Sequence, residues 1–238
     1  MELNNSFGIA DIHTHILPDF DDGAETAEEA IKMLLEEAGQ GITNVVLTPH
    51  FNLANETVEE FLSRRQKAFI NLSNQIKEIG LETQVNILLG AEVRYYPSLL
   101  NTDISGLCIE DTSYMLLELT NSFPLNFEQT INGMLSRGIT PILAHLERYD
   151  YLCNDKKLLD ELKDSGVVFQ CNSSSLLKPF YQRRVKKLVK KGYVHLLASD
   201  THNLTSRPPT LAQGLKKISK FSDLLISNSR KIIQDELM

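Results

Sequence analysis

Short apolar runs alternate along the chain with longer segments in which apolar positions recur at helical spacing. The short runs are rich in Val, Ile and Leu and lack strict alternation, which is typical of parallel strands covered on both faces. This pattern predicts seven strands, at residues 7–13, 43–48, 85–92, 114–119, 140–145, 167–171 and 193–199. An alternation of buried strands and amphipathic segments favours an α/β fold.

Helices are predicted between these strands, ending near residues 40, 79, 137, 164, 191, 220 and 236. The first two begin at Thr26 and Thr57, each of which starts a Thr-x-x-Glu capping box. Glycine follows each of the same two helices, as is common at a helix C-terminus. No linker, composition shift or internal repeat interrupts the pattern, so we expect residues 1–238 to form one domain.

Side chains of the kinds that bind metals, imidazoles and carboxylates, lie at the predicted strand ends. Five of the six histidines lie there, and two glutamates end the strands between them. Residues from different strand ends of an α/β barrel converge on one rim, where the active site lies. A cluster of imidazoles and carboxylates suits a multinuclear site for borderline or hard divalent metals. His195 lies inside an apolar run, and we interpret it as a packed or hydrogen-bonded residue outside the site.

Composition narrows the function classes. The chain has 238 residues, 42% of them hydrophobic, which is enough for one barrel-sized domain. A net charge of −7 argues against a general nucleic-acid binder. No apolar run reaches transmembrane length and no secretory signal is recognisable, so we expect a cytoplasmic protein. Three cysteines without paired spacing fit a reducing compartment.

Five short motifs follow one another in an informative order. They are Asp-Ile-His-Thr-His at 11–15, Thr-Pro-His at 48–50, Gly-Ala-Glu at 90–92, Ala-His-Leu-Glu-Arg at 144–148 and Ser-Asp-Thr-His-Asn at 199–203. From about Asp11 to about Arg207 the chain thereby resembles the polymerase and histidinol phosphatase (PHP) superfamily. It is most similar to the bacterial tyrosine-phosphatase branch, the capsule and exopolysaccharide regulators of Gram-positive bacteria. The resemblance implies a distorted TIM-like (β/α)7 barrel holding three metals, usually manganese, with iron or zinc as alternatives.

The resemblance also implies a ligand set, grouped by metal. The groups are His13, His15, Glu92 and Asp200; Glu92, Glu118 and His145; and Asp22, His50 and His202. Glu92 bridges the first two metals. Asp22 aligns best for the third, but Asp21 and Asp19 are adjacent candidates. Many superfamily members have a histidine there, and a carboxylate in its place favours manganese or iron over zinc.

Two arginines and three cysteines bear on the phosphate chemistry. The resemblance matches Arg148 and Arg207 to the phosphate-binding arginines of the family, a role for which the planar guanidinium is suited. A thiol-based phosphatase needs an arginine six residues after its cysteine. Those positions hold Tyr114, Leu159 and Leu177. We therefore expect hydrolysis by metal-activated water, without a covalent phosphoenzyme.

The expected function is that of a manganese-dependent protein-tyrosine phosphatase. By family analogy the substrate is the tyrosine-rich tail of a bacterial autophosphorylating kinase that controls capsule or exopolysaccharide synthesis. A small-molecule phosphatase such as histidinol-phosphate phosphatase is the first alternative, followed by a nuclease and a non-catalytic kinase-binding regulator. The sequence does not fix the oligomeric state.

A run of cations lies on the predicted helix that ends near residue 191. Its members are Arg183, Arg184, Lys186, Lys187, Lys190 and Lys191. A solvated helix face is the default interpretation, and attraction of an acidic partner tail or an anionic membrane surface is the alternative. Too few aromatic residues accompany the run to indicate nucleic-acid stacking.

Overall fold

The computed structural model describes residues 8–81 and 84–237 of the protein. Nine short strands alternate with helices in this part of the chain. The strands are β1 (Ile9–Thr14), β2 (Ile42–Leu47), β3 (His50–Phe51), β4 (Asn86–Leu89), β5 (Glu92–Arg94), β6 (Tyr114–Glu118), β7 (Thr140–Leu143), β8 (Val168–Asn172) and β9 (Leu196–Ala198). Phe7, the first residue of the predicted first strand, lies outside the described residues.

The α-helices follow the strands, as expected of an α/β fold. They are α1 (Ala27–Gly39), α2 (Val58–Glu78), α3 (Phe127–Ser136), α4 (Asp150–Cys153), α5 (Lys156–Asp164), α6 (Pro179–Lys190), α7 (Leu211–Lys217) and α8 (Ser219–Ile233). The short α4 was not predicted. No helix in the described ranges is long and apolar enough to cross a membrane.

The strands form a parallel, barrel-like sheet. β1, β2 and β4 form one hydrogen-bonded group, and β3, β5, β6, β7, β8 and β9 follow in order in the second. The last strand returns to the first through a parallel bridge between Thr14 and Thr201, and the His15 N–H donates to the Thr201 carbonyl at 2.9 Å. This contact brings the chain after β9 beside β1. The predicted α/β barrel is confirmed.

One predicted strand is interrupted, and one short strand was not predicted. The predicted strand 43–48 is observed as β2, and the separate strand β3 follows Pro49, which has no N–H to donate to a neighbouring strand. The run 85–92 is divided into β4 and β5 at Gly90. His50 and Glu92 therefore begin short strands instead of ending long ones. The two residues are partners in the β3–β5 register, so the interruption places their side chains together.

The predicted capping box is complete at the start of α2. At the start of α1 only one of its two hydrogen bonds is present. Thr57 and Glu60 form the complete capping box at the start of α2. At the start of α1, the Glu29 N–H donates to Thr26 Oγ1 at 3.1 Å, as predicted. The Glu29 carboxylate, however, accepts from the Glu25 N–H instead of from Thr26, so the second half of that box is wrong.

Apolar side chains fill the barrel beneath the rim. Buried members of this inner cluster are Ala10, Ile12, Val46, Leu116, Ile142, Val168 and Leu196. Ile232 of α8 packs into the same cluster. A larger apolar core lies between the strands and the surrounding helices. The barrel interior is thus a packed core, and the polar residues at the strand ends are left at its rim.

Candidate metal centre

The structure brings all nine predicted ligand residues to one end of the barrel. They are His13, His15, Asp22, His50, Glu92, Glu118, His145, Asp200 and His202. Two of them have unusual backbones for residues other than glycine, since φ is 35° at His145 and 54° at Asp200. Such left-handed residues carry strain that the surrounding contacts must hold, and they concentrate at functional sites.

Glu92 lies at the centre of the cluster. Its Oε2 is 3.0 Å from His50 Nδ1 and 3.2 Å from His15 Nε2, and its Oε1 is 2.9 Å from His145 Nε2. The side chain is 1% exposed. Burial raises the pKa of Glu92, but the charge of His13 and hydrogen bonds from the imidazoles outweigh burial and hold the pKa well below its usual range. An ionised, buried carboxylate therefore lies among four imidazoles.

The first expected metal group is compact. The Nε2 atoms of His13 and His15 lie 3.2 Å apart, and Asp200 Oδ1 is 3.4 Å from the former and 3.6 Å from the latter. Glu92 Oε2 is 3.3 Å from His13 Nε2. Four ligand atoms thus point to one small volume, as a shared metal site requires.

The second expected group is more open. Glu118 Oε1 lies 3.9 Å from His145 Nε2, and the Glu118 side chain is 24% exposed. On the other face of the imidazole, His145 Nδ1 is 3.1 Å from the Tyr149 hydroxyl. That contact orients the ring so that Nε2 faces the two glutamates.

In the third expected metal group, the adjacent residues Asp21 and Asp22 have different partners. Asp22 Oδ1 lies 3.2 Å from His50 Nε2 and 3.3 Å from His202 Nε2. Asp21 instead contacts His15 Nδ1 at 2.7 Å and accepts the His50 N–H at 2.9 Å. The geometry therefore places Asp22 in the cluster and Asp21 behind it, where its carboxylate orients an imidazole.

The protonation pattern of the cluster fits the binding of a divalent cation. Burial lowers the pKa of His15, but hydrogen bonds to Asp21 and Glu92 outweigh burial and raise the pKa to about 10. Burial and the positive charge of His15 lower the pKa of His202 to about 3. His202 Nε2 is buried and makes no hydrogen bond of good geometry among the described residues, although Asp22 Oδ1 lies 3.3 Å away. A neutral imidazole nitrogen that faces a carboxylate oxygen without a hydrogen bond fits a shared divalent metal.

The two predicted arginines flank the cluster. Arg148 Nη2 donates to Asp200 Oδ2 at 2.8 Å, and Arg207 Nη2 donates to Asp200 Oδ1 at 2.8 Å. Both side chains are partly exposed, at 42% and 35%. Two guanidinium groups thus lie at the open side of the metal centre. Their remaining N–H groups can meet an anion there.

Sequence reasoning missed two amide side chains beneath the ligands. Gln170 Oε1 accepts the His145 N–H at 2.7 Å and lies 3.4 Å from His13 Nδ1. Gln170 Nε2 donates to Asn172 Oδ1 at 2.8 Å, and Asn172 Nδ2 donates to Asp200 Oδ2. Both residues are buried in β8. Their i, i+2 spacing places them on one face of that strand, from which they support three ligands.

Replacement of Gln170 should weaken metal binding without unfolding the barrel. Gln170→Leu keeps the approximate volume but leaves the His145 N–H without its acceptor, so we expect divalent metal affinity to fall by about 10- to 100-fold. Competition with a fluorescent chelator measures this affinity. Gln182→Leu is a matched control, because Gln182 binds only the Leu176 carbonyl. Equal affinities for wild type and Gln170→Leu would contradict the supporting role.

A buried acidic pair behind the first strand was also missed. Asp11 accepts the Ser199 N–H at 3.1 Å, and Glu37 of α1 lies beside both residues. Burial raises the pKa of Asp11 to about 6. Burial and the neighbouring Asp11 raise the pKa of Glu37 well above its usual range. The pair therefore holds a proton that the unfolded chain would release.

This pair makes stability fall as pH rises. Between about pH 4 and the raised pKa values, the folded state binds more protons than the unfolded state, so the free energy of unfolding decreases. Glu37→Gln cannot ionise and can donate to Asp11, so we expect it to be about 1–3 kcal/mol more stable than wild type at pH 8 and nearly equal below pH 4. Urea unfolding across this range tests the difference. Glu78→Gln, at an exposed position of α2 that does not contribute to the raised pKa values of the pair, should leave the profile unchanged.

The remaining histidine and the cysteines lie outside the cluster. His195 Nδ1 accepts the Phe169 N–H at 2.9 Å and its ring stacks on Phe169, which confirms a hydrogen-bonded structural role. Cys171 is buried, and burial raises its pKa. Burial also raises the pKa values of Cys108 and Cys153 to about 11. None of the three is a ready thiolate.

Comparison with known proteins agrees with this site. Residues 9–234 match the family described as Capsular polysaccharide synthesis, CpsB/CapC. The chain is 35% identical to the tyrosine-protein phosphatase CpsB of Streptococcus pneumoniae, over 96% of this chain and 99% of that protein. It is 32% identical to the putative tyrosine-protein phosphatase CapC of Staphylococcus aureus, over 96% and 92%.

A solved structure gives the same result at the level of the fold. It comes from work on YwqE of Bacillus subtilis and CpsB of S. pneumoniae, described as unique metal-dependent tyrosine phosphatases. The TM-score is 0.85 at 27% identity, with 96% of this chain and 95% of that chain covered. The family match spans nearly the whole described structure, including every residue of the metal centre. The chain therefore belongs to the CpsB/CapC family of capsular polysaccharide synthesis proteins.

Proposed function

We propose that the protein is a metal-dependent protein-tyrosine phosphatase that uses the nine-residue cluster as its metal centre. The observation that carries the proposal is the environment of Glu92, a buried carboxylate within 3.3 Å of four imidazole nitrogens. Two guanidinium groups face the same cluster. The activity named for the family's phosphatases supports the assignment of phosphotyrosine as substrate.

The metal ligands and the two arginines have different roles in phosphate monoester hydrolysis. Bound metals supply an activated water and neutralise phosphoryl charge. Arg148 and Arg207 bind phosphoryl oxygens and hold the phosphorus atom over the cluster, where negative charge increases in the transition state. The departing tyrosyl oxygen has a pKa of about 10, low enough to leave with little help from an acid.

The cysteines support water, instead of a thiolate, as the nucleophile. Their pKa values are all raised, and the sixth residue after each one is not arginine. Hydrolysis then proceeds in one step to inorganic phosphate, without a covalent phosphoenzyme. The assignment of metals is part of this proposal, with manganese preferred because the ligands are mixed imidazole and carboxylate.

The natural substrate proposed here is the phosphorylated tyrosine-rich tail of a cytoplasmic kinase domain involved in capsule or exopolysaccharide synthesis. The family description, which refers to capsular polysaccharide synthesis, supports this choice. The partner's phosphate groups would be exposed on a flexible segment, which can enter the open rim of the barrel.

A comparison of substrates tests the proposed function. We expect the manganese-loaded protein to hydrolyse a phosphotyrosine peptide with a kcat/KM at least about 100-fold above that for histidinol phosphate, because different leaving groups require different contacts. A phosphoserine peptide of the same sequence is the second comparison. Preference for histidinol phosphate would instead identify a small-molecule phosphatase with the same metal centre.

A further inference from the structure

The cations of α6 are arranged asymmetrically. Arg184 is neutralised, since its Nη1 lies 2.6 Å from Asp150 Oδ1. Arg183, Lys187 and Lys191 are exposed, and no carboxylate in the described part of the chain lies within ion-pair distance of them. Their i, i+4, i+8 spacing places the three charges on one face of the helix. This face is positive although the chain as a whole carries a net charge of −7.

The same face forms one wall of a groove of about 290 Å³. The opposite wall comes from α4 and the start of α5, including Asn154 and Lys156. Leu159, Leu188 and Tyr193 supply apolar surface in the groove, and no lining residue among those described is acidic. A concave surface with apolar lining and positive edges suits an extended peptide that carries negative side chains.

The groove is connected to the metal centre through a single short segment. Arg184 Nη1 donates to the Glu147 carbonyl at 2.8 Å, and Glu147 precedes Arg148 in the chain. Arg148 in turn contacts Asp200 of the metal cluster. Arg184, which lines the groove, therefore contacts the segment that carries Arg148, one of the two arginines proposed to hold the phosphoryl group.

We propose that this groove, lined by Arg183, Lys187 and Lys191, docks acidic residues that flank the phosphotyrosine of the substrate protein. The inference rests on the proposed function for the identity of the bound phosphate, and on the groove itself for the acidic peptide. Charge complementarity and continuity with the metal centre favour a peptide. A membrane surface would need the cations on a flat or convex face, whereas these three line a concavity.

Electrostatic docking of this kind should have a measurable effect on peptide affinity. Three exposed ion pairs, each worth about a twofold change in affinity, should together give about a tenfold preference for an acidic peptide. Because the pairs are exposed, the preference should shrink as ionic strength increases and the screening length falls to about 8 Å or less.

The test uses two phosphotyrosine peptides of equal length, one with Glu at the flanking positions and the other with Gln. Their kcat/KM values are measured by phosphate release on the full-length, manganese-loaded protein. Their affinities are measured by fluorescence anisotropy on the same protein, with the phosphotyrosine replaced by a phosphonate that cannot be hydrolysed. The variant is the triple change Arg183→Glu, Lys187→Glu and Lys191→Glu. The matched control, Lys67→Glu, Lys77→Glu and Lys231→Glu, alters net charge equally at exposed positions elsewhere. A triple Gln variant at the groove positions covers the case in which Glu at the end of α6 disturbs folding.

We expect wild type and the control triple to bind the Glu peptide about tenfold more tightly than the Gln peptide at low salt. The groove triple should lose this preference and keep wild-type kcat on p-nitrophenyl phosphate. Equal affinities of wild type for the two peptides would overturn the docking proposal, as would equal losses in both triples. Loss of binding to phosphatidylserine vesicles in the groove triple, with the peptide preference intact, would identify a membrane surface instead. Failure of wild type to hydrolyse either peptide would contradict the proposed function, whereas the anisotropy result would still decide the docking.

Discussion

Glu92→Gln is expected to lower kcat by at least ~10³-fold and to reduce the metal content of the purified protein. The side chain lies between two of the expected metal groups, with His145 on Oε1 and three other imidazoles near Oε2. A neutral amide cannot offset the charge of two dications, and its NH₂ group would present hydrogens where the metals need an oxygen lone pair. Both effects should appear together, because they have the same cause.

Glu118→Gln is the graded comparison for this result. Glu118 is expected at one metal only and is 24% exposed, so its replacement should remove less metal and less activity than Glu92→Gln. Elemental analysis and phosphotyrosine peptide hydrolysis are measured on the same preparations, and thermal melting establishes that the variants are folded. A Glu92→Gln protein with normal metal content and a near-normal rate would rule out the bridging position.

Removal of either arginine should have the second-largest effect. Arg148→Ala and Arg207→Ala are each expected to cost about 2–4 kcal/mol of transition-state stabilisation, or roughly 30- to 1000-fold in kcat/KM. The reason is geometric: each guanidinium donates one hydrogen bond to Asp200 and stays partly exposed, so N–H groups remain for phosphoryl oxygens at the cluster. Metal content should remain that of wild type.

The arginines have a competing structural explanation that the same experiment decides. Both contact Asp200, a proposed metal ligand, so they could act by holding that carboxylate. In that case metal and activity would be lost together. Arg137→Ala is the control, because the Arg137 guanidinium donates to the carbonyls of Leu100 and Thr102 and contacts no ligand of the cluster in the described ranges. If the arginine variants keep their metal and lose kcat/KM, the arginines act by binding the phosphoryl group.

The strand pattern predicted the part of the fold that positions the site. Runs of Val, Ile and Leu gave the strand paths, and residues at their ends are the ones that the structure gathers at the rim. Periodicity did not show the separate strand β3 after Pro49 or the interruption at Gly90, because a buried run stays apolar whether or not every backbone hydrogen bond is made. Both features matter, since they place His50 and Glu92 in register.

The supporting residues were harder to recognise for a different physical reason. Asp21 and Asp22 are adjacent in a loop, where no fixed period relates sequence position to side-chain direction, and only the structure separates the ligand candidate from its supporting neighbour. Gln170 lies in a strand, and Glu37 lies in a helix among several exposed charged residues. Each resembles a surface position until the tertiary packing shows that it is buried.

Metal removal and return, measured together with metal content, tests the central claim most directly. Bound metal is removed from the purified protein with excess chelator, and the chelator is then removed by dialysis. The protein is assayed on a phosphotyrosine peptide while Mn²⁺ or Mg²⁺ is added back. The account predicts loss of hydrolysis on chelation, recovery with close to three Mn²⁺ bound per chain, and weaker recovery with Mg²⁺, which prefers all-oxygen ligands. Full activity in excess chelator after long incubation, with no metal detected, would contradict it.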